Sequence, residues 1–486
     1  MKFQSLFIMI LLINSLNLKA EITLDGTLGH SGVLQGPDYS IEADLGQQVG
    51  SNLFHSFHDF NLNKPESATF LGPNSITNII SRVTGGNPSN IDGLIHSTIP
   101  NADMYFLNPY GIMFGPNARL EVQGSFHAST AHYVRLGEEG RFDARQPSES
   151  LLTAAPVEAF GFLNSKVAPL SVEGLGEIAE TNDKIGLRVL DRKTLSLIGG
   201  EIEIGMGTFF KTVTIDDKGN ESNEINNLPS ISAPYGRINL AAVASQGEVK
   251  LGGDFIDMSS FSQLADISIK EKSLLQTTGE GGGSIFIRGG QFVVDDSALK
   301  AKTRGSQDGG KISLRADKVS LLKGAIINSF TEGIGKGSDI NVWATDSIII
   351  TGENAEHTQE SSIVSGLASL IGSPEQTDEN LGDAGDIYLK AKNIVIKDGG
   401  GITTSTDTSS RGGSLTIKAD ETFSVSGDGK RWEKKRNSWD GSYIASSTYS
   451  KKENAGDAGE ISIDAKNISF LDGSYIYSVK AKVKVE

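Results

Sequence analysis

Seven short segments in the second half of the chain share one pattern, Gly-x-[Ile/Leu]-x-[apolar]-x-[Ala/Gly], and their spacing restricts the possible folds more than any other feature. The pattern sets Ile238, Ile285, Ile312, Ile340, Ile387, Leu415 and Ile461 in register, at gaps of 47, 27, 28, 47, 28 and 46 residues. Only Ser338 departs from the leading glycine. Four residues on stands a small residue, at Ala242, Gly289, Ala316, Ala344, Ala391, Ala419 and Ala465. Eight residues after the last five of these comes a glycine: Gly324, Gly352, Gly399, Gly427 and Gly473. Self-similarity at a period of a few tens of residues marks a repeat architecture.

Within one unit, Lys311-Ile312-Ser313-Leu314-Arg315 alternates polar and apolar, Val319-Ser320-Leu321 does so again, and Ala325-Ile326-Ile327-Asn328-Ser329 forms a third run. Three short strands of period two, separated by turns, make one coil of a parallel β-helix and argue against helical repeats. A single coil cannot bury its apolar side. Stacking the next coil about 4.8 Å above it pairs every strand and aligns Ile312, Ile340 and Ile387 in one interior column. The alanines would sit where the coil turns. The expected fold is all-β, a right-handed parallel β-helix with an N-terminal cap and loop insertions. At about 15 to 17 coils its length would be on the order of 70 to 80 Å. The long gaps place insertions at 353–383 and 428–455, and the gap from Ile238 to Ile285 has room for a degenerate extra coil. Glu21 to about Phe70 is the natural cover for the first coil. At the other end the chain stops in mid-strand at Lys480-Ala481-Lys482-Val483-Lys484-Val485-Glu486, which reads as a truncated member of a longer array.

Met1 to Ala20 carries Lys2, an apolar core from Leu6 to Ile13, and a small residue at its end, so it reads as a secretory signal cleaved between Ala20 and Glu21. Its apolar run is about half of the roughly 20 residues that span a bilayer, and no later segment qualifies as a membrane span. Cysteine is absent, which suits a chain exported unfolded but equally a core large enough to need no staples. A net charge of −16 argues against nucleic acid as a partner, because phosphate binding demands clustered cations.

Between Asn78 and Ala131, short apolar runs (Ile91–Ile95, Met104–Leu107, Leu120–Phe126) alternate with turn clusters at Gly85-Gly86-Asn87-Pro88, Asn108-Pro109-Tyr110-Gly111 and Gly115-Pro116-Asn117. Proline forces the preceding Asn out of the helical region, so strand, turn, strand is the simplest reading. Two of these turns, Asn87-Pro88-Ser89-Asn90-Ile91 and Asn108-Pro109-Tyr110-Gly111-Ile112, resemble the signature motifs of the filamentous-haemagglutinin-type two-partner-secretion domain. The family writes Asn-Pro-Asn-Leu and Asn-Pro-Asn-Gly-Ile, so Ser89 and Tyr110 depart from it. Arg82-Val83-Thr84-Gly85-Gly86, Phe114-Gly115 and Gly124-Ser125-Phe126 extend the likeness to about a third of the chain.

The resemblance implies a signal peptide at 1–20, a secretion domain at 21–165, and continuing β-helix repeats over 166–486. It further implies a secreted or cell-surface adhesin of a Gram-negative-type bacterium, addressed by its N-terminal domain to an outer-membrane β-barrel transporter, with a host or surface ligand as a further partner. The ten residues from Asn87 to Ile91 and from Asn108 to Ile112 are then transporter-recognition elements, or turns that let the coil close. A cytolysin or toxin could share this N-terminus. The enzyme alternative is a polysaccharide-active β-helix, but no catalytic cluster can be named, and no cofactor is expected. His55 and His58 lack further ligands at metal-binding spacing. Gly382-Asp383-Ala384-Gly385-Asp386 lacks the glycine order of a calcium nonapeptide.

Overall fold

A computed structural model of the chain describes residues 21–178, 185–215, 221–352, 362–367, 381–406, 409–427, 441–448 and 456–480. The signal segment 1–20, with Ala20 of its cleavage site, residues 216–220, most of the two insertions and the final 481–486 lie outside the described residues. Strands dominate the rest, and the only helical turns among the described residues are Ala43–Leu45 and Pro147–Glu149.

The strands wind into a parallel β-helix with three faces. Face one begins with Asn52–Phe60, Asn78–Val83, Asp103–Leu107, Phe126–Ser129, Thr194–Gly199, Arg237–Ala242 and Ser284–Arg288. It continues through the first halves of Lys311–Leu322, Asp339–Thr351, Ile387–Lys397, Leu415–Ser426 and Ile461–Leu471. Face two runs from Ser89–Ile91 and Ile112–Phe114 through Leu170–Glu173 to the second halves of those long strands. Face three runs from Asp38–Ile41 and Ser67–Phe70 to Tyr475–Lys480.

The expected aliphatic register is present at every step. Ile238 pairs with Ile285, Ile285 with Ile312, Ile312 with Ile340, Ile340 with Ile387, Ile387 with Leu415 and Leu415 with Ile461. Toward the N-terminus the same column continues through Leu195, Phe126, Met104, Ile79 and Leu53. All but Ile461 are fully buried, so the column and its neighbours form one continuous core. Ile340→Ala is expected to cost about 2–5 kcal/mol, read from urea midpoints. Asn341→Ala, one residue on and turned outward, should cost less than about 0.5 kcal/mol.

The small residues and glycines of the repeat are its corners. Ala316, Ala391 and Ala419 stand where the register slips between faces one and two, a place too tight for a larger side chain. Gly324, Gly352, Gly399 and Gly473 turn the chain toward face three with φ between +76° and +87°, a region costly for residues with a Cβ. Many aspartates staple one coil to the next: Asp103, Asp266, Asp308 and Asp383 accept hydrogen bonds from the backbone N–H of Ser125, Gln291, Lys336 and Arg411, at 2.6–2.9 Å. Asp386 likewise accepts from Ser414 N–H at 2.8 Å. The Gly382 to Asp386 run is therefore corner chemistry.

Several expectations need correction. Face one holds twelve stacked strands among the described residues, so the rod is roughly 50 Å long at one 4.8 Å step per coil, shorter than the 15 to 17 coils expected. The direct pairing of Ile238 with Ile285 leaves no degenerate coil between them. The insertion ranges contain regular strands of face three, Ser362–Leu367 and Tyr443–Thr448. The cap is also shorter than Glu21 to Phe70. Ile22–Asp25, Ser31–Val33 and Gln47–Val49 close the edge by antiparallel pairing, Asp38–Ile41 already stacks as a face-three strand, and the first complete coil starts at Asn52.

The missing coils lie outside the helix. Tyr133–Leu136, Gly140–Asp143, Val157–Phe162, Gly247–Leu251 and Ile256–Asp257 form an antiparallel sheet. This layer lies against the outer side of face one, where Val134, Phe142, Phe160 and Val249 bury Phe54, Ile80, Ile198 and Ala241 in a second core. Phe160-Gly161-Phe162 belongs to this layer and not to a coil. Between layer and helix runs a polar ladder: the His127 ring stacks on Tyr105 at 4.7 Å, and its Nδ1 lies 2.9 Å from Ser196 Oγ, which accepts from Asn239 Nδ2 at 2.9 Å.

Candidate functional site

The two Asn-Pro turns fall on consecutive coils, at the corner between faces one and two. Ser89–Ile91 and Ile112–Phe114 pair in parallel, with Ser89 opposite Ile112, Asn90 opposite Met113 and Ile91 opposite Phe114. Strand periodicity then divides each motif. Ser89, Ile91, Asn108, Pro109, Gly111 and Ile112 are buried, whereas Asn87, Pro88, Asn90 and Met113 are exposed and Tyr110 is half-buried.

Asn108 locks the two turns together. Its Nδ2 donates to Asn87 O at 3.0 Å and to Ser89 Oγ at 2.9 Å, while its Oδ1 accepts from Tyr110 N–H at 2.9 Å. Ser89 N–H donates to Gly111 O at 3.0 Å. Gly111 sits at φ +122°, a backbone conformation in which a side chain would be strained. Ser89 at the family's Asn position thus supplies the acceptor that Asn108 uses. Tyr110, at the other departure, carries the Arg145 guanidinium 4.8 Å above its ring, a cation–π contact to the outer layer.

The exposed half of both motifs opens on one groove of about 570 Å³, lined by Pro88, Asn90, Tyr110, Met113, Pro169 and Ser171. Its far wall is acidic, from Glu173, Glu201, Glu203 and Glu271. Lys270 meets Glu203 at 3.3 Å. Asn90, Met113, Ser171 and Glu203 form one outward column across four coils. Sequence spacing could not bring Glu201 to the motifs, because the excursion at 133–163 intervenes.

Beside the first motif, Arg82 is 1% exposed. It donates from Nε to Ser56 Oγ at 2.7 Å, from Nη1 to Asp143 O at 2.6 Å and Ser150 Oγ at 2.7 Å, and from Nη2 to Thr27 Oγ1 at 2.9 Å. Its guanidinium lies 4.1 Å from the Phe142 ring centroid. Burial pulls its pKa down to about 10, against the fields of Asp25 and Asp143. Burial pushes the Asp25 carboxyl up, but hydrogen bonds involving Ser56, Thr27 and Thr84 outweigh it and hold the group below its usual value. Cap, first coils and outer layer meet on this one side chain, which the sequence shows only as part of Arg82-Val83-Thr84-Gly85-Gly86.

His55 and His58 are not brought together. Three places apart on a strand, they point to opposite sides. The His55 ring is enclosed by Phe57 and Phe70, with neither nitrogen hydrogen-bonded. His58 is 53% exposed and lies 2.6 Å from Asp59.

A sequence model of the TPS secretion domain matches residues 20–287, more than half of the chain. The chain belongs to the TPS secretion domain family. This is a two-partner-secretion family, a secretion family and not an enzyme family. A heme/hemopexin-binding protein of Haemophilus influenzae is 32% identical over 84 residues, 17% of this TPS chain and 9% of that protein. The crystal structure of the HMW1 secretion domain from Haemophilus influenzae aligns over 90% of this chain and 96% of that one, at 17% identity and a TM-score of 0.35. Among the described residues, no helix is long and apolar enough to cross a membrane.

Proposed function

We propose that the exposed half of the two Asn-Pro motifs is the address read by the outer-membrane transporter, and that the buried half closes the coil once the chain is outside. What supports this is the division of labour within each motif. Asn108, Ser89 and Ile91 have packing or hydrogen-bonding duties away from the groove, whereas Pro88, Asn90, Tyr110 and Met113 converge on it beside Gly111 and Ile112. Signal cleavage after Ala20 precedes that encounter and leaves Glu21 next to the capping strand. Extended recognition followed by folding outside suits a rod whose coils are completed only by stacking on a neighbour. Beyond export, the function we propose is adhesion, with the flanks of the rod presenting the binding surface.

The test compares Asn90→Lys/Met113→Glu with Asn108→Ala, in cells carrying the cognate transporter and in refolding of purified protein. The double variant should refold with an unchanged melting temperature but accumulate inside the cell. Asn108→Ala should lose about 1–3 kcal/mol of stability, because it strands Ser89 and the Asn87 carbonyl. Normal secretion of the double variant would reject the address.

A further inference from the structure

The antiparallel layer reaches face one as far as the strand Ser284–Arg288, where Phe286 joins its core and Arg288 Nη1 donates to Ile256 O at 3.4 Å; past that strand the layer adds no further strand over the outer side of the face. One outward column there is cationic and aromatic. Arg288 pairs with Arg315, Arg315 with Trp343, Trp343 with Lys390 and Lys390 with Lys418. The Arg315 guanidinium lies 3.9 Å from the Trp343 ring centroid, and the Tyr388 ring stands edge-on to Trp343 at 6.2 Å. Trp343 is 37% exposed, large for an indole with no structural need of water. Leu264, Arg288, Arg315, Trp343 and Lys390 line a groove of about 510 Å³ together with Asp317 and Asp420, and Lys418 continues the column beyond it.

Stacking like charges on adjacent strands is unfavourable, and the rest of the repeat avoids it. On flanking columns Lys302 pairs with Glu332, Lys318 with Asp346, Lys323 with Asp295, and Lys336 with Asp339 and Asp386. Among the described residues, none of Arg288, Arg315, Lys390 and Lys418 has an ion-pair partner within 4.0 Å. Burial, with the field of Arg288, pulls the Arg315 pKa below its usual value. In a chain of net charge −16 this row holds four cations without an ion pair among the described residues, with carboxylates only at its margins, Asp317 and Asp420 in the groove and Asp464 opposite Lys418.

We infer that this stripe binds an acidic polysaccharide. A linear chain laid along the rod axis would offer carboxylates or sulfates to cations placed one coil apart, and a sugar face to Trp343 and Tyr388. The stripe from Arg288 to Lys418 spans four coil steps, roughly 19 Å, enough for a few sugar units. Asp464 pairs with Lys418 and ends it. Nucleic acid fits less well, since a single row of cations set in a strongly acidic protein cannot neutralise a phosphate backbone. A membrane surface would need an apolar face or a broader basic patch.

The experiment is binding of the purified mature protein to polygalacturonate, dextran sulfate and neutral dextran by calorimetry at low and moderate salt. Binding to one or both polyanions, but not to dextran, is expected, and which polyanion wins separates carboxylate from sulfate recognition. Lys390→Gln/Lys418→Gln, which adds no like-charge stack beside Asp464, should weaken it about tenfold or more, and Trp343→Ala should weaken it at both salt concentrations, with melting temperatures close to wild type because all three residues are exposed. A control pair with the same charge change, Lys166→Gln/Lys250→Gln, should bind as wild type. The inference is overturned if neither polyanion binds, if the control pair loses as much, or if duplex DNA or phosphatidylserine vesicles bind more tightly than both polyanions.

Discussion

Arg82→Met is expected to destabilise the protein by about 3–5 kcal/mol, the usual cost of removing one member of a buried charged network. The substitution keeps most of the apolar stem against Phe142 but deletes the donors to Ser56, Asp143, Ser150 and Thr27. It takes one hydrogen bond each from the Asp143 carbonyl and from the Ser56, Ser150 and Thr27 hydroxyls, and it removes the positive charge beside Asp25 and Asp143. Three units lose their common tie: the antiparallel cap, the first two coils and the outer layer. Arg82→Lys should rescue little, because one ammonium cannot reach four acceptors spread around a planar fork. Urea unfolding checks the magnitude. Hydrogen exchange checks the place, with protection lost first over Ile22–Asp25 and Gly140–Asp143; a loss spread evenly along the rod would show that Arg82 is not the tie.

Acidification should be comparably damaging, through buried histidines. Burial drives His55 from 6.5 down to about 3. Burial, helped by Arg237, takes His127 to about 3. For His132, burial and Arg145 outweigh Asp143 and bring it to about 4. Each is neutral in the fold and takes up a proton when unfolded, so the unfolded state binds more protons between the two values. Stability is therefore complete above about pH 6.5 and falls as the pH drops toward 3. His55 and His127 each contribute on the order of 5 kcal/mol over that window. The structure shows what protonation would break: Leu163 N–H donates to His132 Nδ1 at 2.7 Å, and among the described residues no carboxylate pairs with the ring of His55 or His127. Urea midpoints at pH 7.5, 6 and 5 should fall steeply, and His55→Leu should flatten the slope by about one proton. A profile unchanged down to pH 5 would mean that these rings are hydrated in solution.

The helix itself was legible because its determinants are local. A period of two in Ile312, Leu314 and Ala316, a small residue at each first corner and a glycine at the second recur whatever lies between repeats. Register then follows, since a slip by one residue would turn every aliphatic side chain of a coil to water. The coil number was not legible, because Val157–Phe162, Phe209–Ile215 and Gly247–Leu251 have the same alternation as coil strands. Alternation says that one side is buried but not against what. Each of these three pairs antiparallel outside the helix.

The motifs were legible as turns but not as a site. Their residue types forecast breaks in the chain, whereas the fates of Asn108 and Asn90, one locked inside and one turned out, depend on two coils meeting in register. The same holds for Arg82, whose partners lie 26 to 68 residues away, and for His127, which meets Ser196 across 69. Such distances pass through excursions of irregular length that no spacing rule covers.

Sequence alone determined the interior, an aliphatic column with fixed corners, because each coil carries its own instructions in a few adjacent residues. Tertiary structure decided everything on the outside: which part of face one is covered, which histidines lose their charge, which cations stand unpaired, and which residues share a groove. Those outcomes depend on side chains from distant segments arriving on neighbouring rungs, and only the stacked chain brings them there.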